Sequence, residues 1–334
     1  MLKNMNSRSA LLLALKTLDK AYLGLRLGMG FELLGIRGLL FHTVLTGEAE
    51  RENQSILPHQ ALTLGQYRFI FEYFQSHGYE FIRHSDLHKN LESNKRYAYV
   101  TFDDGYYNNI RLLSLAEELG VPIHLFVTTE NVVENRKFWW DVVHSQGVKR
   151  GLRPNVIKRE IAYLKTMTPQ KINSYVLDKF GESAYRPTGE LDRPLTPEEL
   201  KDVAEHELVT IGNHTHRHAI ATNLAPIEFQ EELDESQLIF EELLGWRPTS
   251  FAFPNGNFSG QQLDICKNAG FEIGFGCNEK EINSLDSYDP LDRLHLGRFG
   301  ITNNLQLKWQ ADMIRSTTSI YRGVREVSRR WNSR

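Results

Sequence analysis

Apolar residues recur along this chain in two rhythms. Short unbroken runs have the length and continuity of strands buried on both faces: Tyr97-Ala98-Tyr99-Val100, Ile123 to Val127, Leu208 to Gly212, Ser250 to Phe253 and Phe271 to Phe275. Gly38-Leu39-Leu40-Phe41-His42 reads as the first such strand and Tyr79 to Ile82 as another. Between the runs, apolar positions step by three or four. Tyr67, Ile70, Phe71 and Phe74 mark a helix that stops at His77-Gly78, a second helix ends at Gly120, and longer patterns cover about 226 to 244 and 259 to 269. Thr196-Pro197-Glu198-Glu199 is a helix start, with a threonine cap, proline at the first helical position and Glu199 completing a capping box. Such alternation predicts parallel strands joined by helical crossovers.

Three stretches depart from the rhythm. Residues 8 to 35 carry leucines at helical spacing (Leu11, Leu12, Leu15, Leu18, Leu23, Leu25), predicting an appended amphipathic helix that packs on the domain or lies on a membrane. Residues 131 to 195 predict an insertion with a lysine-rich helical region over about 155 to 181. In it, Trp139 and Trp140 are either a sugar-stacking platform or the insertion's apolar underside. A last strand near Leu294 to Ile301 is followed by a helical tail with Arg315, Arg322, Arg325, Arg329, Arg330 and Arg334. The organisation expected is therefore a helical extension over 1–35, one domain over 36–302 and a basic tail over 303–334.

With 334 residues and 41% hydrophobic content the chain can bury a large core, and a formal net charge of −3 gives no whole-chain drive toward nucleic acid. Cys266 and Cys277 are too few for a disulfide framework or a cysteine zinc site, and read as reduced core residues. The run Ala10 to Leu15 is soon interrupted by Lys16, Asp19 and Lys20, which disfavours a signal peptide, so the expectation is a cytoplasmic protein with contact to an anionic membrane surface.

The candidate chemistry sits where strands should end. Thr101-Phe102-Asp103-Asp104-Gly105-Tyr106 places two carboxylates side by side, and both stay ionised only if a cation or strong donors offset their repulsion. His214 and His218, four residues apart after another strand, can converge on one metal ion. Two histidines and one carboxylate make a three-ligand set for Zn²⁺ or a similar ion with an open position for water. The remaining carboxylate then stands beside that water as a base.

These segments, with Phe251-Ala252-Phe253-Pro254-Asn255-Gly256, resemble in order and spacing the first three motifs of the polysaccharide deacetylase family, the NodB-homology domain of carbohydrate esterases. The resemblance implies a distorted (β/α) barrel over residues 36–302. It implies that Asp103 is the general base, that Asp104, His214 and His218 are the metal ligands, and that His216 points away. It further implies a groove wall of Phe253, Pro254 and Asn255 whose backbone N–H groups help hold an oxyanion, with Tyr106 and Trp140 also at the substrate. Many members carry an arginine two residues before the proline of the third motif; here that residue is Ala252, and Arg298 on the last strand is the candidate for the missing cation. His295, in Leu294-His295, matches a late motif that supplies the general acid, although strand alternation should turn His295 and Arg298 to opposite faces. His42 matches a supporting position.

The expected activity is metal-dependent hydrolysis of an N-acetyl, or less readily an O-acetyl, group on a sugar of a polysaccharide, oligosaccharide or lipid-linked glycan, with zinc as the metal and cobalt or nickel as substitutes. The competing readings are a deformylase of a lipid-linked amino sugar and a glycan-binding module that keeps the metal site as structure.

Overall fold

A computed structural model of the chain describes residues 7–89, 91–282, 285, 288–316 and 318–324. Among these, the strands are β1 (Gly35–Phe41), β2 (Thr43–Leu45), β3 (Ala61–Thr63), β4 (Tyr79–Phe81), β5 (Arg96–Phe102), β6 (Ile123–Val127), β7 (Val209–Asn213), β8 (Ser250–Ala252), β9 (Ile273–Phe275) and β10 (Phe299–Gly300). The helices are α1 (Ser7–Gly28), α2 (Leu64–Ser76), α3 (Leu113–Leu119), α4 (Thr129–Glu134), α5 (Trp139–Lys149), α6 (Pro154–Leu164), α7 (Pro169–Phe180), α8 (Pro197–Ala204), α9 (Pro226–Leu244), α10 (Gly260–Asn268) and α11 (Leu307–Ser316). Apart from the β2–β3 pair, the strands form one sheet in the order β10-β1-β5-β6-β7-β8-β9, with β4 flanking the first half of β5 and β6 its second half. Every pairing is parallel, as helical crossovers require.

The sheet curls until its edges meet at one short segment. Leu296 bridges to Phe275 of β9, and three residues later Phe299 pairs with Leu39 of β1. This gives the distorted (β/α) barrel. The outer core lies between the sheet and α2, α3, α8, α9 and α11, with Phe41, Tyr67, Phe71, Phe74, Phe102 and Phe240 fully buried. Inside the barrel, the hydroxyl of Tyr99 meets Nδ1 of His124, and Nε2 of His124 lies 2.8 Å from Ser250 Oγ. Burial holds the His124 imidazole neutral, well below its ordinary value.

Three differences from the sequence pattern have physical causes. β1 begins at Gly35 instead of Gly38, because Arg37 is a strand residue despite its charge; its buried guanidinium donates to the carbonyls of Leu33, Leu34 and Ile314. The last strand is only Phe299–Gly300, since residues 292–295 wind into a 3-10 turn. Arg315 is not a surface charge of the tail; it is buried against Glu32 in a bidentate pair. Arg322 is partly buried and pairs with Glu279, while Arg325, Arg329, Arg330 and Arg334 lie outside the described residues.

The insertion has its own core, in which Trp139, Trp140, Ile157, Ile161, Ile172 and Val176 pack together with Tyr106. A buried pair, Lys137 Nζ to Asp192 Oδ2 at 2.8 Å, ties its two ends, and Asp192 also accepts from Thr188 and Gly189. Its final residues return to the first motif, where Leu195 N donates to Gly105 O.

Candidate active site

β5 delivers Asp103 and Asp104 at its carboxyl end, and β7 delivers His214 beside them. The backbone there is forced into conformations that side chains resist. Asp104 (φ 82°), Thr215 (φ 66°), His218 (φ 51°) and Asn255 (φ 59°) are four of the six non-glycine residues with positive φ among those described. Each costs roughly 1–3 kcal/mol, so the strain is concentrated in the three motifs. Local bonds offset it. Asn213 Oδ1 accepts from Thr215 N at 2.8 Å, Thr215 Oγ1 accepts from Ala219 N at 2.8 Å, and Asp104 O accepts from Thr128 Oγ1 at 3.0 Å. Gly105 (φ 86°) must be glycine for a second reason: a Cβ there would stand 2.9 Å from Val127 Cγ1.

Asp104, His214 and His218 bring one ligand atom each to within 4.8 Å of one another. Nε2 of His214 lies 3.6 Å and Nε2 of His218 lies 3.5 Å from Asp104 Oδ1. Nδ1 of His214 donates to Ala252 O at 2.7 Å, which leaves Nε2 unprotonated and facing the carboxylate. The His218 ring is held by Trp140, ring centroids 4.5 Å apart, and its Nδ1 is buried without a partner. Burial, with His214 and Lys165 nearby, keeps the His218 imidazole neutral, the form that ligates. Two nitrogens and a carboxylate oxygen at this spacing fit Zn²⁺ or a similar divalent ion.

Asp103 lies outside that set but next to it, its Oδ2 being 3.9 Å from His214 Nε2. Arg298, fully buried, clamps it with Nη1 to Oδ1 at 2.6 Å and Nη2 to Oδ2 at 2.9 Å. The guanidinium is itself fixed by Thr101 Oγ1 at 3.1 Å and Gly276 O at 3.0 Å. Burial alone would push the Asp103 carboxyl up; the charge of Arg298 and its hydrogen bonds hold it below the ordinary carboxylate value.

His295 is not brought to this cluster. It ends the 3-10 turn, stacks on Phe258 and places Nε2 3.2 Å from Asp292. The groove-wall expectation also needs correcting. The Phe253 side chain is fully buried among Phe229, Phe251 and Phe258, and Pro254 is buried, so only Asn255 presents an exposed side chain. The N–H groups of Phe253 and Gly256 are already bonded to Phe275 O and Phe253 O, so neither is free for an oxyanion. Tyr106 is likewise internal, whereas Trp140, though buried, lines the cavity beside His218. Trp140 Nε1 donates to Tyr106 Oη at 2.8 Å, and Tyr106 Oη donates to Asp141 Oδ2 at 2.6 Å, a chain that fixes the Trp140 ring against His218. His216 turns to Thr129, its Nδ1 3.0 Å from the hydroxyl.

Asp141 closes this brace by accepting from Leu57 N at 2.8 Å. Burial pushes its carboxyl up to about 7, against the pull of Lys137 and its two donors. The folded chain thus binds this proton more tightly than the unfolded one. The resulting stabilisation is full below 3.8 and lost as pH rises through about 7. Melting temperature measured against Asp141→Asn is expected to fall for the native chain across that window, and parallel curves would contradict the assignment.

Three further residues stand at the site: Lys165, which carries no signal in the sequence, His42, expected in a supporting position, and Cys277, expected in the core. Lys165, just after α6, places Nζ 2.9 Å from Asn255 Oδ1, and the opposing charge it feels most is that of Asp104. Burial lowers its pKa. His42 follows β1 and feels the charges of Asp104 and Asp103. Cys277 is not a core residue: it is exposed, and its Sγ stands 2.9 Å from where a Cβ on Gly256 would be. Beside His218 a cavity of about 220 Å³ opens, walled by Asn131, Trp139, Gln170, Asn173 and Glu130.

The sequence profile of the family described as Polysaccharide deacetylase matches residues 90–274, which contain both aspartates, both histidines and the third motif but not Arg298. YxkH of Bacillus subtilis (strain 168) is 28% identical over 80 residues, 24% of this chain and 28% of that protein, so the match spans well under two thirds of the relative. Three solved structures share the fold. The Streptococcus pyogenes deacetylase PplD, in complex with acetate, has a TM-score of 0.54 at 14% identity, over 83% of this chain and 96% of its own. IcaB from Ammonifex degensii has a TM-score of 0.56 at 16% identity, over 85% and 98%. The de-N-acetylase from Aggregatibacter actinomycetemcomitans has a TM-score of 0.54 at 14% identity, over 81% and 96%.

Proposed function

Because the chain belongs to the polysaccharide deacetylase family, we propose that it is a metal-dependent hydrolase that removes an N-acetyl group from a sugar of a glycan. The observation that carries this is Asp103: a buried, ionised carboxylate outside the metal-ligand set, 3.9 Å from one of its ligands and oriented by a bidentate arginine. A site that held a metal only for structure would have no use for this spare base.

A divalent cation held by Asp104, His214 and His218 supplies Lewis acidity, polarising the acyl oxygen and making water more acidic. Asp103 receives the proton of the attacking water. Arg298 keeps that carboxylate ionised and aimed. The sugar ring enters the cavity beside His218, and Asn255 with Lys165 borders the acyl group. Lys165 then donates a proton to the sugar nitrogen as the C–N bond breaks, so that acetate and a free amine leave; its burial makes it a stronger acid than an ordinary lysine.

Acetate release from N-acetylated sugars and oligosaccharides, measured on metal-stripped protein and after restoring Zn²⁺, Co²⁺ or Ni²⁺, tests the reading. Release that requires the metal supports it, and stoichiometric metal binding with no acetate from any glycan would overturn it. Within the same assay Lys165→Met is expected to lower kcat by about 10²-fold or more with metal content unchanged, whereas His295→Ala stays within about twofold. The reverse ranking would return the acid to His295.

A further inference from the structure

We propose that the N-terminal helix, the loop after it and the C-terminal segment packed on it form a surface that docks on a lipid bilayer with anionic headgroups. One face of α1 is used inside the protein: Leu23 packs with Trp309, Met313 and Tyr321, and Asp19 accepts from Trp309 Nε1, Ser319 Oγ and Tyr321 N. A second face is bare. Leu11, Leu18 and Leu25 follow one another at seven-residue intervals, with Ala14 and Ala21 between them, and all five are exposed. Met29, Phe31, Leu33 and Leu34 extend this apolar surface into β1, and Ile320 and Val324 lie on the segment that also carries Tyr321. Of the 19 large hydrophobic side chains exposed among the described residues, 11 belong to these two segments. A soluble surface scatters such residues singly.

Charge identifies the occupant. Residues 1–34 and 318–334 contain ten basic side chains and three acidic ones, in a chain whose net charge is −3. Two of the three acids are held internally, Asp19 as above and Glu32 by Arg315, and of the ten basic side chains Arg322 pairs with Glu279. Lys20 on α1 is exposed, and Lys16 and Arg26 are partly so. A second copy of the chain would bring the same positive charge to the contact, whereas an anionic leaflet neutralises it and takes up the leucines. α1 is about 33 Å long at 1.5 Å per residue, yet no helix among the described residues is long and apolar enough to cross a membrane. It therefore lies in the interface plane.

The inference stands apart from the hydrolase reading and is tested without activity. Full-length protein is sedimented with vesicles of phosphatidylcholine containing phosphatidylglycerol, and with vesicles of phosphatidylcholine alone. Binding is expected to the first, weakened by salt, and lowered about tenfold or more when Leu18→Glu and Leu25→Glu are combined. Both leucines are 63% exposed, so the melting temperature should not change. Wild type that stays in the supernatant, or a double variant that binds equally well, would overturn the proposal. A dimer that forms without lipid and is broken by the same two changes, with no vesicle binding, would overturn it in favour of a second copy.

Discussion

Asp103→Asn is expected to cut acetate release by about 10³-fold while metal stays bound, because the ligand set of Asp104, His214 and His218 is untouched. The substitution preserves shape and removes only the basicity and the charge. It also leaves Arg298 facing a neutral amide, so some loss of melting temperature accompanies it, and Thr101 Oγ1 and Gly276 O limit that loss by continuing to accept from the guanidinium. Metal content by mass spectrometry and turnover on one N-acetylated oligosaccharide decide the matter. Asp103→Asn retaining a tenth of wild-type turnover would remove Asp103 from the chemistry. His214→Ala, by contrast, should lose metal and turnover together.

The second large effect belongs to Arg298. Arg298→Met removes two hydrogen bonds to Asp103 and leaves a buried carboxylate without its cation, a loss of about 3–5 kcal/mol. Such a loss approaches the whole stability of many domains, so Arg298→Lys, which restores charge without the two-pronged geometry, should recover folding in part. Activity carries a distinct signature. Burial raises the Asp103 carboxyl and Arg298 opposes it, so in Arg298→Met the acid limb of the kcat/KM profile should move to higher pH, and in Arg298→Lys it should move less. An Arg298→Met protein as stable as wild type, with its acid limb unmoved, would show that the pair does no more than fill space.

Much of this site is legible in the chain because its signals are local. Two carboxylates directly after an apolar run, and two histidines four apart after another, are each read from a handful of adjacent residues, and buried parallel strands place both pairs at the same end of the sheet. What escaped reading depends on distance. Lys165 reaches Asn255 across 90 positions, through a helical insertion whose packing has no periodic signature at that residue. Arg37 hid the start of β1 because a charge inside a strand looks like an ending until the carbonyls that receive it are known. His295 and Arg298 looked mutually exclusive under strand alternation, and the 3-10 turn dissolves that conflict by taking residues 292–295 out of the strand. The resemblance implies a wall of Phe253 and Pro254, and burial assigns both side chains to the core beneath it.

The seam where the sheet closes has a bearing on how the molecule comes into being. Arg298 meets Asp103 across 195 positions of chain, and it does so from the last segment of the sheet in chain order. Until that segment docks, β5 ends in two neighbouring carboxylates without their guanidinium, and such distant pairings are among the slowest to form. During synthesis, then, a chain that already carries His214 and His218 still has Asp103 without its cation. The pairing of that carboxylate therefore depends on the far end of the sheet.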